Sequence, residues 1–225
     1  MNRRDLFATC AAAFGLAGCW RKAYSWNQKL TVTVTTPQGE KSGSAVTRVA
    51  WKIGRVPMTS TIRTASVTGE ATVVELAPGK YLFALLDQSQ SPVEYLAEHV
   101  WPVDVVTGES EEDHLGRLYT HVMQAKGPAH VRFDRYPLLV TFGDINVPAS
   151  VKEVKPGDLA VAFGGGYKLK SITLEITDEE VTEGMMQKLL PWLGKYPEPP
   201  LCAPKSGADF SFCATAVHHG DFSRR

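Results

Sequence analysis

The stretch Leu30-Thr31-Val32-Thr33-Val34-Thr35 alternates apolar and β-branched polar residues with a period of two. Successive side chains of a strand point to opposite faces, so this segment buries one face and wets the other, as in an antiparallel sheet. Pro37-Gln38-Gly39 closes it with turn chemistry, and Val46 to Ile53 repeats the alternation through Val49, Trp51 and Ile53. A polar loop from Pro57 to Thr61 leads to a third expected strand, Ala65 to Leu76. Pro78-Gly79 then turns the chain into Tyr81-Leu82-Phe83-Ala84-Leu85-Leu86. That run is apolar on both faces, which predicts a central strand covered on each side.

Helical spacing appears next. Pro92 suits the first turn of a helix through Tyr95, Leu96 and Val100, stopped by Pro102. Acidic residues from Glu109 to Asp113 precede Leu115, Leu118, Tyr119 and Val122, and Gly127-Pro128 ends that helix. Leu138 to Phe142 reads as a buried strand, Pro156 to Phe163 as a short helix capped by Gly164, and Leu169 to Thr177 as an alternating strand. Thr177 with Glu180 has the spacing of a capping box, predicting a helix through Val181, Met185, Met186 and Leu189 until Pro191. The sum is an α+β fold: a largely antiparallel sheet of six or seven strands with helices packed on one side or end. The alternative is an immunoglobulin-like β-sandwich with added helices.

The first residues carry a different message. Arg3 and Arg4 precede an Ala/Gly-rich apolar run too short to span a bilayer, the layout of an export signal. Asn2-Arg3-Arg4-Asp5-Leu6-Phe7 is similar to the twin-arginine export motif, although any signal needs cations there. Leu16-Ala17-Gly18-Cys19 resembles the lipobox of bacterial lipoproteins. That resemblance implies cleavage before Cys19, palmitate or a similar acyl chain on the new terminus, and a membrane tether facing the periplasm. Trp20, rather than an aspartate, slightly favours the outer membrane. The expected organisation is a signal peptide over 1–18, lipid attachment and tether over 19–28, a globular domain over 29–196, and a Pro-rich tail over 197–225. Cys10 leaves with the signal. Cys202 and Cys213, eleven positions apart, are then expected to pair as a disulfide in an oxidising compartment.

Leu30–Val46, Gly69–Leu86 and Tyr136–Leu193 together resemble a family of uncharacterised conserved proteobacterial proteins, several of them described as lipoproteins. The resemblance spans most of the chain after the signal. It implies a shared globular fold and brings no activity, substrate or site residue.

Chemistry is sparse. The chain has 24 basic and 24 acidic residues, a balance that argues against nucleic acid as a partner. His114 and His121 share a helix face but stand about 10 Å apart along its axis, too far for one zinc ion. His218, His219 and Asp221 lie too close together on one backbone to converge easily, so no metal is expected. Gly164-Gly165-Gly166 lacks the Lys and Ser/Thr of a phosphate loop and reads as a helix cap and turn. Ser42-Gly43-Ser44 is no nucleophile elbow, and its glycine is expected to supply conformational freedom. Asp87 and Asp144 follow buried strands and read as turn acceptors, with a catalytic pair as the other option. Catalytic residues and cofactors therefore stay unassigned.

The expected function is a membrane-anchored envelope lipoprotein, a non-catalytic binding or scaffolding module for an envelope protein or small-molecule ligand. The alternative is a periplasmic enzyme, possibly a hydrolase, with dispersed catalytic residues. The anchor generates a direct prediction. Cys19→Ser should remove the acyl mass and shift the protein out of the membrane fraction. Unchanged processing and partition, read by intact mass and fractionation, would contradict it.

Overall fold

Strand β1 (Lys22–Thr36) and strand β2 (Gly39–Arg55) form one hairpin, paired from Thr36↔Gly39 at its tip to Lys22↔Ile53 at its base. The computed structural model that shows this describes residues 22–55, 61–86, 92–201 and 217–225. At the tip, the Thr36 hydroxyl donates to the Gly39 carbonyl at 2.7 Å and accepts the Gln38 amide at 3.2 Å. Gly39 itself adopts φ +109°, as Pro-Gln-Gly chemistry predicts.

Around this hairpin a six-stranded sheet assembles. Strand β3 (Thr61–Glu70) flanks β2, and strand β9 (Lys168–Thr177) flanks β1. The short strands β10 (Ser223–Arg224) and β6 (Ala129–His130) close the two edges. A second sheet holds β4 (Thr72–Ala77), β5 (Lys80–Ala84), β7 (Leu139–Phe142) and β8 (Val151–Glu153), in that order. Among the described residues every pairing is antiparallel, and with four α-helices the fold is α+β.

The strands fall into two packed sheets because Ala65 to Leu76 is two strands rather than one. The chain leaves the first sheet at Glu70 and enters the second at Thr72. Gly69, at φ +132°, makes that exit: a side chain there would be strained and would press on the Val46 carbonyl. Where the sheets meet, β4 crosses β2 so closely that a Cβ on Gly43 would overlap the Val73 carbonyl. Gly43 thus provides space inside a strand, which corrects the expectation of a flexible turn glycine.

One core lies between the layers. It joins Val32, Val49, Trp51, Ile172 and Leu174 of the first sheet to Leu82, Ala84 and Leu139 of the second. Helix α1 (Val93–Val100) and helix α2 (Glu111–Gln124) add Leu96, Leu118, Tyr119 and Val122 to it. Pro92 precedes α1 and acidic residues fill the first turn of α2, as the sequence suggests, and the Ser110 hydroxyl accepts the Asp113 amide to cap α2. The opposite face of the second sheet, carrying Phe83, Leu85 and Val140, packs against Met186, Leu190, Trp192, Val217 and Phe222. The Tyr81–Leu86 run is indeed covered on both sides.

Two expectations fail in the C-terminal third. Residues 178–184 are not helical, and helix α4 spans only Met185–Leu189. Val46 lies just beyond the end of β3, and its free amide and carbonyl are taken by the Thr182 hydroxyl and amide, each at 2.9 Å. That pairing, with Gly184 at φ +77°, holds the backbone out of helix. Residues 217–225 are no trailing tail: Phe222 is fully buried against Phe83, Phe142 and Trp192.

A partly buried polar knot ties the helices to the sheet. The Arg63 guanidinium of β3 lies 4.9 Å from the ring centres of both Trp51 and Tyr95. Its Nη1 donates at 3.0 Å to both Glu98 carboxylate oxygens and to the Tyr119 hydroxyl oxygen. Tyr119 stacks on Trp51 with 5.5 Å between centres. Burial pushes the Glu98 carboxyl above its ordinary range against the pull of Arg63. Burial likewise raises the Tyr119 hydroxyl, with the Glu98 charge adding to it.

Glu70 is a second buried carboxylate. It accepts the amides of Gly184, Met185 and Met186 at 2.7, 2.9 and 3.1 Å, fastening the start of α4 to β3. Glu70→Gln keeps the shape but removes the charge from these bonds, and should cost about 1–3 kcal/mol of unfolding free energy in urea. An unchanged midpoint and slope would show that the carboxylate does not fasten α4.

Candidate functional site

Beside the hairpin tip lies a groove of about 450 Å³. Three segments build it. The chain leaving β6 makes a single 3-10 turn at Phe133–Arg135 and places Phe133 and Tyr136 on one wall. The turn Pro156-Gly157-Asp158 and helix α3 (Leu159–Phe163) form a second wall. Gly166, Tyr167, Lys168 and Leu169, at the start of β9, complete it. A Cβ on Gly166 would crowd the Pro37 ring at 2.9 Å, so the groove abuts the hairpin tip directly.

Its lining is aromatic with two charges. Phe133 is 67% exposed and meets Tyr136 at 5.5 Å between ring centres. Tyr167 is buried against Phe163 at 5.9 Å. Asp158 stands at the N-cap of α3 but does not cap it. Among the described residues neither Asp158 nor Lys168 has an ion-pair partner. A volume in the range of small-molecule sites, an apolar floor and two uncommitted opposite charges suit binding of an amphipathic ligand.

The sequence candidates are dispersed. Arg3, Arg4, Cys19, Asp87, Cys202 and Cys213 lie outside the described residues. Asp144 is a turn acceptor, its Oδ1 receiving the Asn146 amide at 2.9 Å. Gly164 ends α3 at φ +99°. Asp221 is buried and accepts the His218 amide, while His219 Nδ1 lies 3.1 Å from Glu198. His121 is exposed on α2. Among the described residues no group of three or more His, Cys, Asp or Glu could hold a metal ion.

Phe133, Tyr136, Asp158 and Lys168 carry no spacing signal, because three separate turns bring them together. Arg63 and Glu70 could have been found. Arg63 sits on the inward phase of the β3 alternation with Ala65 and Val67, Glu70 at the buried end of the strand, and a charge at such a position requires a partner. No family model, curated protein or solved structure matches the chain.

His114 has a defined neighbourhood of another kind. Its Nδ1 lies 3.3 Å from Glu109, which also receives Arg117 Nε at 2.9 Å and Nη2 at 2.8 Å. These bonds, Arg117 foremost, hold the Glu109 carboxyl at about 2, below its ordinary 4.5. A depressed carboxyl stabilises the fold above its unfolded pKa and loses that contribution as pH falls through the folded one. The stability gap between wild type and Glu109→Gln should therefore close between about pH 5 and pH 2. A gap independent of pH would contradict this assignment.

Proposed function

We propose that this protein is a lipid-anchored module of the bacterial envelope that binds a ligand without chemically altering it. The groove of about 450 Å³ beside the hairpin tip carries the reading. Its two charged side chains, Asp158 and Lys168, are a thin set for general acid–base chemistry but enough to orient a bound molecule. The anchor rests on Leu16-Ala17-Gly18-Cys19 and the apolar run before it. Among the described residues no helix is long and apolar enough to cross a membrane.

The placement of the two features supports this division. The tether enters at Lys22, whereas the groove borders Thr35↔Lys168 and Pro37, about 40 Å further along β1 at ~3.3 Å per residue. A module anchored at one end would present the groove away from the bilayer.

The test uses lipidated protein as bait in solubilised envelopes, comparing wild type, a groove variant (Phe133→Asp with Lys168→Glu) and Val147→Asp as an exposed control elsewhere. Species held by wild type and Val147→Asp should fall at least about tenfold with the groove variant, since about 1.4 kcal/mol suffices for that. Equal recovery by all three baits would contradict a binding role for the groove.

A further inference from the structure

We propose that the turn carrying Val105 and Val106 inserts into the interfacial layer of the membrane, forming a second contact beside the acyl anchor. The inference rests on the lipoprotein reading of Cys19.

Helix α2 runs alongside β1 in the same direction. Lys22 Nζ lies 3.5 Å from Glu112 and 3.6 Å from Asp113, in the first turn of α2. Further along, Tyr24 reaches Gly116 and Tyr119, and Trp26 also meets Tyr119. The segment entering α2 therefore lies at the end of the molecule where the chain arrives from Cys19. Cys19 stands three positions before Lys22, a reach of at most about 11 Å. Acyl chains on Cys19 would keep this end within that distance of the lipid surface.

Apolar groups are exposed there. Val105 is 77% exposed and Val106 54%. Ile62 of β3, half exposed, belongs to the same end, because Arg63 and Lys22 both pair with Ile53. The turn is also built rather than loose. Glu109 accepts the Val106 amide at 3.2 Å and returns its own amide to the Val106 carbonyl at 3.0 Å. Arg117 donates to the Asp104 carbonyl at 2.6 Å and to Glu109 at 2.8 Å. A pre-ordered turn loses little conformational entropy on insertion, so burying two valines is net favourable. Acidic Glu111, Glu112 and Asp113 flank the site with Lys22 opposite two of them, which favours zwitterionic over anionic headgroups.

The experiment places an environment-sensitive dye at Val106→Cys or at Val161→Cys, an 83% exposed site on α3 beside the groove, in the full lipidated protein. The parent chain treated identically sets the background from Cys202 and Cys213. In zwitterionic phosphatidylcholine vesicles, the dye at position 106 should brighten and be quenched by brominated lipid several-fold more than at position 161. Equal quenching, in protein whose intact mass includes the acyl chains, would overturn the insertion while leaving the anchor standing. A mature protein without acyl mass would remove the anchor and this inference with it.

Discussion

The contact on which the first half of the fold depends is the one between Arg63 and Glu98. Both are partly withdrawn from water, the Glu98 carboxylate more than the Arg63 guanidinium, so each is costly to leave without the other. Together they satisfy one another, with the Tyr119 hydroxyl completing the triangle and the Trp51 and Tyr95 rings covering the guanidinium. The knot draws one residue from each of β2, β3 and α2, and two from α1. Apolar burial alone would let α1 and α2 slide over the sheet; a guanidinium held against two rings, with one nitrogen shared by both carboxylate oxygens, allows one register. Glu70 does the same for the C-terminal third, tying α4 to β3 through three backbone amides.

Much of this was legible in the sequence, for identifiable reasons. The alternation of β1 and the doubly apolar run of β5 follow directly from strand geometry. Pro92 and Gly164 mark helix ends because capping is local. What could not be read is what depends on long-range partners. The turn at Gly69 divides an apparently continuous strand between two sheets, and the Val46–Thr182 pairing overrides a sound capping-box pattern at Thr177. Phe222 looked like part of a polar terminus, since its partners Phe83, Phe142 and Trp192 all lie far back along the chain. The groove was invisible for the same reason: each of its walls is an ordinary turn.

The long hairpin gives the molecule two ends with different chemistry. At the Lys22 end stand the carboxylate–guanidinium clasp of Glu109 and Arg117 and the exposed valines, where the proposed tether would join. At the Pro37 end stand the aromatic groove and its free charges. Helices α1 and α2 and the second sheet pack along the hairpin between these ends and stiffen it.

That rigidity is tested most directly by a double-mutant cycle on Arg63→Met and Glu98→Gln, followed by urea unfolding. If the pair is the clamp, each single change leaves a partly buried charge uncompensated, and the double variant should lose less than the sum of the two. The expected coupling exceeds about 1 kcal/mol. Effects that add within about 0.5 kcal/mol would contradict the account, leaving apolar packing alone to hold α1 and α2 on the sheet.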